Sequence, residues 1–133
     1  MRNRAATVII REDKVALLKR NKGHGNYYVF AGGGIEYGET AEQAAIRETL
    51  EELGVHVELK KLLTTVPFNG TQYYFTAQII SGEFGTGNGE EFTKSSIENG
   101  TYEAVWIPLT KISELDVRPL EVVRILMAND STD

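Results

Sequence analysis

Glu48, Glu51 and Glu52 stand at positions i, i+3 and i+4 of the segment "AEQAAIRETLEEL", residues 41–53. If that segment is helical, their Cβ atoms lie roughly 5–6 Å apart on one surface. Like charges so placed destabilise an isolated helix, and Arg47, four residues before Glu51, can offset only one pair. Two readings follow. The carboxylates form a solvated face, as most charge runs on helices do, or they collect a hard divalent cation. Mg2+ takes oxygen ligands at about 2.0–2.1 Å, commonly one or two carboxylates together with substrate phosphates. On the helix alone the solvated face is favoured. The upstream sequence shifts the balance: the glycines at 32–34 let backbone approach a phosphate or metal closely, and Glu39 precedes the helix at a fixed distance.

The elements that must position these residues are legible around them. Thr40 and Gln43 form a capping box, so the helix is predicted to begin at Ala41, and Gly54 is placed to end it. At about 100° per residue, Ile46, Leu50 and Leu53 make the predicted core stripe. Glu48 then lies opposite, flanked by Glu51 and Glu52, with Ala41, Ala44 and Ala45 on the carboxylate side and leaving room for a ligand.

"ATVII" and "VALLKR" read as strands of a hairpin turning at Arg11 to Lys14. "NKGHGN" is a loop, "YYVF" a short strand, and the three glycines a loop into the helix. Residues 55–66 look extended, and Asn69-Gly70 is a hairpin turn into "TQYYFTAQII". The glycine-rich stretch 81–100 reads as a long loop or a distorted strand. "TYEAVWIPL" is a strand ended by Pro108, "LTKISELD" a short helix start, and "PLEVVRILMA" a helix. That last helix has Leu120, Val123, Ile125 and Leu126 at helical spacing and Pro119 in its first turn. Strands dominate, which predicts a mixed α/β layered domain.

The whole chain of 133 residues suits a single domain, 1–133, with 41% hydrophobic and 25% charged residues. A net charge of −5 argues against a nucleic-acid polymer as partner. It leaves room for a single nucleotide, because a divalent cation inverts the local sign. The absence of cysteine excludes thiolate catalysis and cysteine-ligated zinc. The apolar run near the start is too short for a signal peptide, and no stretch approaches the ~20 apolar residues of a membrane span. A cytoplasmic protein with no membrane partner is the expectation.

Gly33, five residues, Glu39, seven residues, then Arg47-Glu48-Thr49-Leu50-Glu51-Glu52-Leu53-Gly54-Val55 resembles the Nudix box, here residues 33–55. "VALLKR" before it and "YEAVWIPL" with a short helix after it are similar to the family's flanking elements. Thr49 departs from the usual aliphatic residue, and Ala31 stands where proline is frequent. Both positions concern packing or loop stiffness rather than a ligand.

The resemblance implies an α/β fold, a Nudix-type α/β/α sandwich with a mixed β-sheet. It implies a Mg2+-dependent pyrophosphohydrolase, with Mn2+ as a substitute, acting on a nucleoside triphosphate or other nucleoside diphosphate derivative. Nucleotide sugar or ADP-ribose hydrolysis is the alternative within the class, and a nucleotide-binding module that does not cleave is the alternative outside it. By the same resemblance Glu48, Glu51, Glu52 and the Gly32 carbonyl are metal ligands. Arg47 orients the carboxylates through Glu39, and Glu36 matches a frequently acidic position.

A pyrophosphate repels an attacking water by its charge, which a bound Mg2+ offsets while acidifying that water. Glu48 or Glu52 could accept the proton. A later-loop base is the other option, with Glu91 chosen over Glu90 and Glu103, each equally readable as an exposed loop acid. Arg4 and Arg20 are candidates for substrate phosphates, or else exposed structural arginines. His24 and His56 read as loop and strand residues. Tyr27, Tyr28, Phe68, Tyr73, Tyr74 and Phe75 read mainly as packing with some capacity to stack on a base, and Trp106 reads as structural. The expected partner is a small-molecule nucleotide, and either a monomer or a homodimer suits the sequence.

Overall fold

The computed structural model describes residues 2–21, 23, 25–87 and 101–131. Strands β1 (Arg4–Arg11) and β2 (Lys14–Asn21) form the expected hairpin. Glu12 and Asp13 both adopt positive φ, 54° and 62°, as a two-residue hairpin turn of matching twist requires. β3 (Asn26–Val29) and β4 (Gly32–Gly34) lead to α1 (Ala41–Leu53). The long hairpin β5 (Val55–Pro67) and β6 (Thr71–Gly82) follows. Then come β7 (Thr101–Pro108), a 3-10 helix (Leu109–Glu114), β8 (Val117–Arg118) and α2 (Leu120–Ser131).

Among the described residues the strands form one curled mixed sheet in the order β5-β6-β1-β2-β3-β8, with β4 paired to β1 and β7 to β2. β1/β6 and β3/β8 are parallel, and the other pairs are antiparallel. β1 and β2 pair only at Ile10/Val15 and Arg11/Lys14 before diverging. β1 then continues against β4 and β6, while β2 continues against β3 and β7. A cleft opens where they part.

The apolar runs of β1 and β2 have no alternation because both faces of the sheet are covered. Ala6, Val8, Val15 and Leu17 face a core closed by Val122, Val123 and Leu126 of α2. The alternate residues Ala5, Ile9, Ala16 and Leu18 face the other side, where Ala44, Ala45 and Leu53 of α1 lie. The two helices therefore sandwich the sheet.

Three expectations need correction. The glycines at 32–34 are a strand, held by backbone pairing to Arg4, Ala5 and Ala6, which asks nothing of side chains. In α1, Leu53 is buried, but Ile46 and Leu50 are 37% and 36% exposed. The buried face is Ala44, Ala45, Thr49, Glu52 and Leu53. Those alanines seat the helix closely on Ala5 and Phe75 rather than leaving space for a ligand. In α2, Val122 takes the place expected of Leu120, which is exposed. No helix among the described residues is long and apolar enough to cross a membrane.

Candidate active site

α1 begins as its sequence dictates. The Thr40 hydroxyl accepts from the Gln43 N–H, and the Gln43 side chain accepts from the Thr40 N–H. Gly54 ends the helix at φ 79°, a left-handed conformation that favours glycine. With both ends fixed, the carboxylates are delivered against β4. Glu52, only 4% exposed, accepts a 2.7 Å hydrogen bond from the Gly32 N–H.

Gly32 can donate there because of strand alternation. Thr7 N–H to Ala31 O and Ile35 N–H to Asn3 O are ladder bonds. Between them, Gly32 turns both its N–H and its carbonyl off the ladder, toward the helix. A Cβ on Gly32 would collide with the backbone of Ala5 and Ala6, and one on Gly33 would land on the Glu48 carboxylate. The two glycines thus allow a separation between β4, β1 and α1 that no other residue permits.

Arg47 brings a cation into this group. Its Nε and Nη2 donate to the two oxygens of Glu39 at 2.7 and 2.9 Å, a bidentate clamp, and Nη2 also donates to Gly34 O at 3.1 Å. Nη1 reaches Glu48 at 3.2 Å and Glu51 at 3.5 Å. The Arg47 hydrogen bonds, with the Glu36 N–H, hold the Glu39 carboxyl down at about 2. The same bond to Glu39 raises the Arg47 pKa. Arg47 is therefore a fixed charge at every working pH.

Among the described residues no three acidic or histidine side chains converge tightly enough to enclose a cation. Glu52 rests on Gly32, Glu48 leans on Arg47, and Glu51 is half-buried at the edge of the Arg47 guanidinium. The donor chemistry nonetheless fits a hard divalent ion: three carboxylates and a backbone carbonyl, oxygen ligands only, beside the Arg47 guanidinium.

Beside this group lies a cavity of about 460 Å3, in the cleft between β1 and β2, a size suited to a small-molecule ligand. Glu52, Gly32 and Gly33 form part of its wall, and both Arg4 and Arg20 line it. The lining also includes Arg118, Gln72 and Glu121, which sequence reasoning did not single out. Arg118 reaches the cavity only because β8 pairs in parallel with β3, a long-range event with no local signal.

Arg20 lies over the Tyr102 ring at 4.2 Å, and Arg118 over Tyr27 at 4.2 Å. Arg118 also donates through Nε and Nη2 to the Asp116 carboxylate at 3.0 and 2.8 Å, an ion pair that holds its guanidinium at the cavity wall. Asp116 donates no proton here: its carboxylate accepts from Arg118, which lowers its pKa. Burial pushes Tyr74 up to about 12, so its neutral hydroxyl donates to Gln72 Oε1 at 2.8 Å.

Of the remaining candidates, Tyr73, Tyr74 and the 65% exposed Phe68 reach the cavity, and Phe75 is core. His56 is exposed, and Trp106 stacks on Phe84 at 4.6 Å. Glu103 pairs in register with Lys19, and its neighbours Tyr102 and Arg20 face the cavity, so alternation turns it away. Glu90, Glu91 and His24 lie outside the described residues.

The NUDIX domain pattern matches residues 1–125 of the 133. The chain belongs to the Nudix hydrolase family. Among curated proteins, this Nudix chain is 31% identical over 101 residues to the NAD-capped RNA hydrolase NudC of Citrobacter koseri. That match covers 76% of this chain and 38% of NudC, so the chain spans well under half the length of that relative.

Among solved structures, a NUDIX hydrolase from Nitrosomonas europaea superposes with a TM-score of 0.74 at 22% identity, covering 98% of this chain and 89% of the other. An ADP-ribose pyrophosphatase from Streptococcus suis superposes at 0.72 and 17% identity, covering 97% and 91%. At such identities the likeness is one of fold. It is the mixed, curled sheet between helices that the Nudix resemblance implied.

Proposed function

We propose that this Nudix chain hydrolyses the diphosphate linkage of a nucleoside triphosphate or another nucleoside diphosphate derivative, in a divalent-metal-dependent reaction. One observation carries the reading: Glu52 and Gly32 share a cavity wall with Arg4, Arg20 and Arg118. Carboxylates and arginines facing one space are what a polyphosphate and its counter-cation together require.

Glu48, Glu51, Glu52 and the Gly32 carbonyl would hold Mg2+, or Mn2+ in its place. When bound, the metal offsets phosphate charge and acidifies a coordinated water. The chain's own residues do the remaining work. Arg4, Arg20 and Arg118 bind phosphate oxygens and hold the anhydride along the cleft. Glu39 clamps Arg47, and Arg47 in turn restrains Glu48 and Glu51 from one side. Glu48 or Glu52 takes the proton of the attacking water, with Glu91 as the alternative base.

A second reading is favoured by the relationship to NudC, named for NAD-capped RNA: a pyrophosphate diester such as ADP-ribose or a dinucleotide. A panel of nucleoside triphosphates, ADP-ribose and NADH, assayed with Mg2+ for phosphate-containing products, separates the two. Glu52→Gln keeps an acceptor for the Gly32 N–H, so the fold survives while turnover falls by roughly 10²–10⁴. No Mg2+-dependent hydrolysis of any panel member refutes the enzyme reading. Undiminished activity in Glu52→Gln refutes the placement of the metal site.

A further inference from the structure

The fully buried contact between α1 and the sheet includes a polar pair. Thr7 of β1 and Thr49 of α1 are 1% and 0% exposed, and their hydroxyl oxygens lie 2.8 Å apart. Thr49 Oγ1 also donates to the Ala45 carbonyl at 2.7 Å. That uses its single proton, so Thr7 is the donor in the threonine pair.

Threonine inside a helix has no propensity advantage, and its back-bond to residue i−4 slightly disfavours the helix. Two aliphatic side chains of the same shape would serve stability about as well. The pair supplies direction instead. The neighbouring contacts of α1 are Ala44 and Ala45 against Ala5 and Phe75, small surfaces that allow close approach but offer little to resist sliding. A hydrogen bond between Oγ atoms resists it along a defined axis.

Thr7 also grips the other half of the site. Its backbone N–H donates to Ala31 O at 2.9 Å, directly before Gly32. Gly32 N–H then donates to Glu52, one helical turn from Thr49. A closed ring results: Thr7 to Ala31, Gly32 to Glu52, and Thr49 back to Thr7. We propose that the Thr7–Thr49 pair is a positioning device that sets the carboxylates of α1 in register with Gly32. The inference rests on the metal-site reading above, and its test reads metal binding apart from hydrolysis.

The variants are Thr49→Val, Thr7→Val, the double variant and Thr49→Ser. Mn2+ affinity is measured by calorimetry without substrate, the melting temperature on metal-free protein, and kcat and KM on the panel. Thr49→Val orphans the Thr7 hydroxyl and lowers the melting temperature. The double variant removes both hydroxyls and returns to within about 2 °C of wild type.

Positioning predicts that Mn2+ affinity and kcat nevertheless stay down in the double variant, roughly tenfold, with KM unchanged and Thr49→Ser restoring both. A double variant that regains wild-type Mn2+ affinity along with its stability overturns the proposal and leaves the pair as packing. Should Thr49→Val fail to fold, the double variant and Thr49→Ser still decide. Wild-type protein that binds Mn2+ but hydrolyses nothing sinks the hydrolase reading alone, and protein that binds no Mn2+ sinks both.

Discussion

Replacing Glu39 by Gln removes one charge from a clamp whose geometry fixes the expected cost. Arg47 donates to both Glu39 oxygens, and an amide offers one acceptor and turns its NH2 toward a donor. The carboxyl is held at about 2 instead of its ordinary 4.5, which would amount to about 3 kcal/mol at 1.36 kcal/mol per pH unit. The pair is not fully dry: the side chains of Arg47 and Glu39 are 27% and 16% exposed. Screening reduces the expected loss to about 1–2 kcal/mol, or about 4–8 °C in melting temperature.

The pH dependence is the sharper test of the same substitution. A carboxyl depressed in the folded state contributes fully above its unfolded pKa and loses that contribution as pH falls toward the folded one. The gap between wild type and Glu39→Gln should therefore be constant from pH 7 to about 5 and shrink between 4.5 and 2. Urea unfolding of metal-free protein at several pH values measures it. A gap that stays the same down to pH 3 refutes the ionic account of the clamp.

Three further outcomes follow from the site's geometry. Gly33→Ala places a Cβ on the Glu48 carboxylate, so Mn2+ affinity should fall at least about tenfold while the melting temperature shows whether β4 has shifted. Arg20→Ala should raise KM roughly tenfold with kcat largely kept, the pattern of lost uniform binding, measured on whichever panel substrate turns over. Leu50→Gln should change stability by no more than about 0.5 kcal/mol in urea unfolding, because Leu50 sits on the outer surface of α1.

That last substitution marks where the sequence misleads. The ends of α1 were readable to the residue, because capping is local chemistry written in Thr40, Gln43 and Gly54. Its facing was not. Periodicity assigns the large apolar side chains to the core, whereas Ile46 and Leu50 face out and Ala44, Ala45, Thr49 and Glu52 face in. β4 was invisible for a related reason: three glycines carry no strand propensity, and only pairing with β1 makes them a strand. Arg4 and Arg20 could be nominated from their strands, but Arg118 needed the β3/β8 pairing to bring it to the cavity.

These departures share one cause. A helix that must bring carboxylates to a backbone strand cannot also place bulky side chains between them. Leu50 at the position of Ala45 would push α1 away from β1 and lengthen the 2.7 Å bond between Gly32 and Glu52. The small buried face, the glycine strand and the exposed leucine are thus consequences of the same requirement for close approach. The cost of that arrangement is a helix whose apolar area is partly left in water. The Thr7–Thr49 bond and the Arg47–Glu39 clamp hold it from below and from the side, where a larger apolar stripe would have held it by volume alone. Local rules fail at the site because the site demands proximity, and the failures point to the residues whose substitution is most informative.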